Sequence, residues 1–227
     1  MTTTADLIVQ GLKDLGLSHL FCLPGVQNDD FFDALYPHRD TVRPIQVRHE
    51  QAAGYMALGA ALATGQPQAY CVVPGPGFLN TTAALSTAYA VNAPVLALIG
   101  QIPTGAIDRE YGLLHEIPNQ EGILGSLTKH ATRILEPEKA QSQLHEALTA
   151  LVNGRPRPVG HVEAGPGATP FGGRGGRRLC RACGRSVCAV LGCGRSFSGC
   201  VRPVPPSGSV LPAPRGACCS SCCSHLK

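Results

Sequence analysis

The feature that most restricts the fold is a pair of patterns that recurs over roughly the first 160 residues. A short, mostly apolar run is closed by Pro or Gly, and a segment with helical spacing follows it. "HLFCL" (His19–Leu23) is closed by Pro24-Gly25, and "AYCVV" (Ala69–Val73) by Pro74-Gly75-Pro76-Gly77. "PVLALIG" (Pro94–Gly100) leads into a long polar connection that starts at Gln101. Strands that are apolar throughout, rather than alternately, are buried on both faces. When such strands alternate with helices, each helix carries the chain back across a face of the sheet, so neighbouring strands run parallel. The pattern predicts an α/β fold: a three-layer, doubly wound, mostly parallel six-stranded sheet.

The helical segments have recognisable ends. Leu7, Ile8, Leu12 and Leu15 share one face of a helix over Ala5–Leu15, which Gly16 stops. "DDFFDALYP" opens with acids suited to a helix N-terminus and halts at Pro37. "RPIQVR" is the next strand, and a helix from about Glu50 to Ala63 ends at Gly65. Further helices are expected at about Leu79–Ala90, at Gln120–Leu127 and from Pro137 to about Val152. Strands are expected near Ala131–Leu135 and Pro158–Val162. In sheets of this kind ligands bind beyond the carboxyl ends of the strands. Here those ends carry the loops Pro24–Asn28, His49-Glu50 and Pro74–Asn80, and the connection after Gly100.

Composition then divides the chain. Residues 1–170 hold 10 Lys and Arg against 15 Asp and Glu, whereas residues 171–227 hold 9 Lys and Arg and no acid. The net charge of +4 averages two unlike segments and identifies no partner. Of the 11 cysteines, Cys22 and Cys71 lie in apolar runs of the first part and the other 9 fall between Cys180 and Cys223. Isolated cysteines in apolar strands fit a reduced, cytoplasmic domain. "MTTTADLIVQGL" lacks the basic flank and apolar core of a secretory signal, and no apolar run approaches the ~20 residues that span a membrane. The expected organisation is one domain over residues 1–163 and a Gly/Arg/Cys/Pro-rich tail over 164–227. The tail has no sustained period and too few large apolar side chains to offset the entropy of ordering, so it is expected to be disordered and to carry no site. Its arginines lack interleaved stacking aromatics, which argues against a specific nucleic-acid partner. The Cys180–Cys183 and Cys219–Cys222 pairs are too irregularly spaced to make a strong zinc pattern. A weak metal module and out-of-frame translation of a GC-rich gene both remain open for this segment.

Two features carry possible chemistry. In "VRHEQAAGYMALGAALATG" (Val47–Gly65), Glu50 stands at the mouth of a helix otherwise built of small apolar residues. Taken alone, a carboxylate in a first turn is either a partner of the helix dipole, which stabilises by roughly 0.3–1 kcal/mol, or a catalytic acid or base. "PGPG" after a strand is either a rigid turn or a cradle for a ligand; without a Gly-Lys-Ser/Thr ending it is not a P-loop.

Four segments in order change the reading: "FCLPGVQNDDFFDAL", "VRHEQAAGYMALGAALATG", "VVPGPGFLNTTAALSTAYAVNAPVLALIGQIP" and "LLHEIPNQEGILGSLTKHATRI". Together they resemble the N-terminal, pyrimidine-binding domain of thiamine-diphosphate-dependent enzymes. The nearest group is the one that includes acetolactate synthase, benzoylformate decarboxylase and related carboligases, and the resemblance covers about residues 3–162. It implies that Glu50 is the catalytic glutamate, hydrogen-bonded to a ring nitrogen of the aminopyrimidine so that the thiazolium carbon can lose its proton. It implies that Pro24 and Gly25 border the pyrimidine. Gly75, Pro76, Gly77 and Asn80 would lie against the cofactor and a neighbouring subunit, and Gln101 would match a glutamine that ends the fourth strand. His115, in a His-Glu pair where many relatives have Gln-Glu, is either a general acid or base toward substrate or a solvated loop histidine. The cofactor implied is thiamine diphosphate, with Mg²⁺ held through a domain missing from this chain, since no Gly-Asp-Gly stretch occurs in the sequence. The partner implied is a second copy of the chain or a diphosphate-binding chain or domain. On this reading the lone chain is an incomplete 2-oxo-acid decarboxylase or carboligase. The alternatives are a non-catalytic association or regulatory relative, or the small subunit of a split two-chain decarboxylase.

Overall fold

A computed structural model describes residues 2–162. The tail from 164 onward, with the expectations placed on it, lies outside the described residues. Six strands form one sheet: β1 (His19–Leu23), β2 (Arg43–Gln46), β3 (Gln68–Val72), β4 (Val95–Ile99), β5 (His130–Arg133) and β6 (Val159–Val162). Their order is β2-β1-β3-β4-β6-β5, and every neighbouring pair is parallel. The sheet is therefore wholly rather than mostly parallel. Six helices connect the strands: α1 (Thr4–Asp14), α2 (Asp29–Leu35), α3 (Glu50–Thr64), α4 (Pro76–Ala90), α5 (Gln120–Leu127) and α6 (Pro137–Val152).

Successive strand residues point to opposite faces, so each central strand feeds two cores. Leu20, Cys22, Ala69, Cys71, Leu96 and Leu98 pack under α1, α2 and α6 with Ile8, Leu12, Phe31, Leu35, Leu144 and Leu151. Phe21, Tyr70, Val72, Val95, Ala97 and Ile99 pack under α3, α4 and α5 with Ala53, Ala57, Phe78, Leu85 and Leu124. Every residue of β4 is buried, which is why its sequence is apolar without alternation.

Most boundaries fall within one or two residues of expectation, and two of the differences have clear physical reasons. The helix expected from Leu79 starts at Pro76, because Pro lacks an N–H that the first turn would leave unpaired and its φ suits that position. Pro76-Gly77, expected to be turn, is thus the first turn of α4. The strand expected at 131–135 is His130–Arg133, set by its pairing with β6.

The chain grows outward from β1 to β2, then returns past β1 to add β3 on the other side. That reversal opens a crevice at the carboxyl ends of β1 and β3, the position where sheets of this type hold ligands. Both of those strands are followed by Pro-Gly, at Pro24-Gly25 and Pro74-Gly75.

Candidate functional site

At the start of α3 the cap is His49, not Glu50: His49 Nδ1 accepts the Gln51 N–H at 3.2 Å. Glu50 is half-buried and turns its carboxylate across to α4, where Oε2 accepts from Asn80 Nδ2 at 3.0 Å. The two helices can approach this closely because Gly54 faces Ala84; a Cβ on Gly54 would lie 2.8 Å from the Ala84 Cβ. Glu50 Oε1 has no hydrogen-bond partner among the described residues.

The placement of α4 is fixed by a buried hydroxyl pair. Thr81 Oγ1 donates to the Phe78 carbonyl at 2.7 Å, so the Tyr70 hydroxyl of β3, 2.9 Å away, is the donor to Thr81 Oγ1. Burial pushes the Tyr70 phenol well above its ordinary range, and it stays a donor at all working pH values. Asn80, the neighbour of Thr81, is held over Glu50 by this arrangement.

Two loops meet at Val73, which is buried just after β3. A Cβ on Gly25 would lie 2.5 Å from Val73 Cγ1; one on Gly77 would lie 2.5 Å from Cγ2 and 3.5 Å from Glu50 Oε1. Glycine is thus required on both sides for the loops after β1 and β3 to close over this valine beside the carboxylate. Pro76 is exposed as the first residue of α4, and Pro24 is exposed next to Gly25.

Gly75 has φ +58°, and a Cβ there would lie 2.4 Å from the His115 carbonyl oxygen. The structure therefore brings His115 against the Gly75 loop. Its ring Nδ1 lies 2.9 Å from Gln27 Oε1. Gln101 is placed differently. Its side chain is buried and folds back, Oε1 accepting the Ile102 N–H at 2.8 Å. It lines a cavity of about 410 Å³ together with Asp108, Glu116, Asn119 and Arg133, a hollow whose walls do not include Glu50, Gly77 or Asn80.

Three residues of the loop network lay beyond the reach of sequence reasoning. Gln120 is buried and ties two loops together: its Oε1 accepts the Gly75 N–H and its Nε2 donates to the Gly100 carbonyl, each at 3.0 Å. Asn28 is buried and donates from Nδ2 to Cys71 Sγ at 3.3 Å, while its Oδ1 is buried without a hydrogen-bond partner. Gln27 holds His115. Each of these partners is distant in sequence and none belongs to a periodic pattern; the one local signal was that Asn28 closes a loop at a strand's carboxyl end.

A carboxylate and a carboxamide held at the carboxyl edge of a parallel sheet, in a glycine-lined crevice where strand order reverses, define a ligand-binding α/β domain. Residues 2–123 match the family described as thiamine pyrophosphate enzyme, N-terminal TPP binding domain, and the chain belongs to that family. It is 37% identical over 159 residues to a probable acetolactate synthase large subunit of Methanocaldococcus jannaschii, an alignment covering 70% of this chain and 26% of that protein. It is 31% identical to the probable 2-ketoarginine decarboxylase AruI of Pseudomonas aeruginosa, covering 69% of this chain and 28% of that one. Acetolactate synthase isozyme 3 large subunit of Escherichia coli is 35% identical, with 70% and 27% covered. The chain spans about a quarter of the length of these relatives and carries the thiamine-pyrophosphate-binding N-terminal domain of acetolactate synthase- and decarboxylase-like enzymes.

Proposed function

We propose that this domain holds the aminopyrimidine of thiamine diphosphate at Glu50 and serves a 2-oxo-acid decarboxylase or carboligase of the acetolactate synthase type. The carrying observation is the divided carboxylate: Oε2 is committed to Asn80, while Oε1 is left without a partner beside the glycine-lined wall. The residues fit a flat heteroaromatic ring. Gly25 and Gly77 let the flanking loops close on Val73 beside Oε1, with no side chain of their own against the carboxylate. Glu50 would share a proton with a ring nitrogen through Oε1, Asn80 would keep the carboxylate oriented, and Pro24-Gly25 and Gly75-Pro76 would border the ring. Bound there, thiamine diphosphate supplies the carbon nucleophile and electron sink that 2-oxo-acid chemistry needs. His115, on the neighbouring loop, would move a proton on the substrate. Gln101 would support the loop from its outer side.

The diphosphate and its Mg²⁺ call for other residues. The sequence contains no Gly-Asp-Gly stretch, and the described residues contain no group of three His, Cys, Asp or Glu able to hold a metal. A diphosphate-binding chain or domain would complete the site, and a second copy of the chain would be an association partner. The outward faces of α3 and α4 support this: Tyr55, Met56, Leu62 and Leu79 are exposed, and no Asp, Glu, Lys or Arg occurs between Glu50 and Asp108. An uncharged, partly apolar face of this kind would serve as a contact surface. We propose a cytoplasmic location, since isolated cysteines buried in apolar strands fit a reducing compartment. No described helix is long and apolar enough to cross a membrane.

Calorimetric titration of the full chain with thiamine diphosphate and Mg²⁺ tests the reading. Glu50→Gln should weaken binding at least tenfold, about 1.4 kcal/mol, because a carboxamide cannot share a proton with the ring. Equal binding by wild type and Glu50→Gln would refute the assignment of the pyrimidine to Glu50. Binding by neither, alone or with a diphosphate-binding partner chain added, would favour the association or regulatory reading instead.

A further inference from the structure

We propose that Gln27 is a positioning residue for His115, fixing the neutral imidazole as its Nδ1–H tautomer and leaving Nε2 as an open proton acceptor beside the Glu50 crevice. The inference deepens the reading above and rests on it for the identity of what His115 meets; the tautomer itself rests on this chain alone.

Gln27 lies in the 3₁₀ turn Val26–Asn28 that follows Pro24-Gly25, so it is carried by the same loop that forms one wall of the crevice. His115 comes from the connection between β4 and α5, 88 residues away. The carboxamide of Gln27 meets that connection at two points. Its Nε2 donates to the Leu114 carbonyl at 3.4 Å, and its Oε1 lies 2.9 Å from His115 Nδ1. A carboxamide has one donor end and one acceptor end. The carbonyl of Leu114 can only accept, so it claims the donor end; the reverse orientation would set two oxygens against each other. Oε1 therefore faces His115, and because Oε1 can only accept, Nδ1 must carry the proton.

The second ring nitrogen follows from the first. In a neutral imidazole with Nδ1–H, Nε2 holds a lone pair and no proton. Free histidine in water favours the opposite tautomer, with the proton on Nε2, so the contact with Gln27 selects the less common form. His115 Nε2 has no hydrogen-bond partner among the described residues, and the side chain is half-buried. The backbone is held as well. His115 sits at φ +69°, a left-handed conformation that a non-glycine residue keeps only when its surroundings enforce it. Its carbonyl is packed against Gly75, where no Cβ could stand.

The arrangement defines a proton acceptor. Nε2 can take the proton of a substrate O–H; the ring then carries both N–H groups, with Nδ1–H still donating to Gln27 Oε1. Return of the proton from Nε2 restores the starting tautomer. The substrate class is a small molecule with a hydroxyl or enol next to the reacting carbon, as a 2-oxo acid or aldehyde becomes during carbon–carbon bond formation or cleavage.

Long-range ¹H–¹⁵N correlation spectra of the full chain, labelled with ¹⁵N-histidine and recorded above the histidine titration range, report each tautomer directly. The His115 signal is identified by its loss in His115→Asn. Wild type should show the Nδ1–H pattern at His115. Gln27→Ala should convert it to a predominantly Nε2–H pattern, and Gln27→Glu, which keeps the acceptor, should retain Nδ1–H. A wild-type His115 already in the Nε2–H form overturns the proposal, as does a tautomer unchanged in Gln27→Ala. If Gln27→Ala does not fold, Gln27→Met, which fills similar space without an oxygen acceptor, makes the same test and should give the Nε2–H pattern; Nδ1–H retained there overturns the proposal. No cofactor enters the measurement, so failure of thiamine diphosphate to bind at Glu50 leaves this result standing and is scored separately.

Discussion

Gly77→Ala offers a test in which local and tertiary physics predict opposite signs. Gly77 is the second residue of α4, and in an exposed helix Ala is favoured over Gly by about 0.5–1 kcal/mol. The structure reverses this. The new Cβ would stand 2.5 Å from Val73 Cγ2, against an optimal carbon–carbon separation of about 3.5–4.0 Å. Val73 cannot simply rotate away, since it is stiff at χ1 and its other methyl, Cγ1, is packed on Gly25. Overpacking of this kind costs about 1–3 kcal/mol, so the net expectation is a loss of about 1–2 kcal/mol. Val73→Ala removes both methyls and should cost about 2 kcal/mol by itself, roughly 0.8 for each group plus a cavity contribution. In that background the obstacle is gone, and Gly77→Ala should stabilise by up to about 1 kcal/mol. The coupling between the two sites should therefore be about 1–3 kcal/mol, measurable from urea unfolding of the four full-length proteins at constant m. Because the Cβ would lie at ordinary contact distance, 3.5 Å, from Glu50 Oε1, the carboxylate should stay on Asn80 while stability falls. A Gly77→Ala protein as stable as wild type, or an equal cost in both backgrounds, would refute the claim that glycine here makes room for Val73.

Two other outcomes follow from buried polar groups. Gln120→Leu strands the Gly75 N–H and the Gly100 carbonyl, so it should cost about 1–3 kcal/mol and speed hydrogen exchange at the Gly75 amide, read by NMR; unchanged exchange there would remove Gln120 from its bridging role. His161 is buried, with Nδ1 3.0 Å from Thr132 Oγ1, and burial first, then the charge of His130, lowers its pKa from the ordinary 6.5 to about 4. The unfolded chain therefore binds one more proton than the fold between those values, so stability is fully present above about pH 6.5 and declines as pH falls toward 4, by about 3 kcal/mol in total. Urea midpoints across that range check it, and His161→Leu should flatten this part of the profile.

What could be read from the sequence was whatever neighbours along the chain determine. β1, α5 and α6 stand where apolar runs, Pro137 and the flanking turns placed them, because period and punctuation are local properties. The strand order β2-β1-β3-β4-β6-β5 was not legible, since an apolar run does not specify which strand lies beside it. The same limit governs the site. Glu50 could be singled out, but its surroundings could not: His49 accepts the Gln51 N–H, and Asn80, 30 residues further on, donates to Oε2, and neither contact is marked in the sequence around the acid. Gln27, Asn28 and Gln120 were invisible for that reason, each meeting a partner 43 to 88 residues away. Among the contacts around Glu50, the close approach of α3 to α4 at Gly54 is the one on which the others depend. A Cβ at Gly54 would lie 2.8 Å from that of Ala84, about 1 Å inside an ordinary carbon–carbon contact, so it should push α3 and α4 apart and lengthen the 3.0 Å bond from Asn80 to the carboxylate. A small residue in the second turn of α3 is thus as much a part of the site as the acid in its first turn.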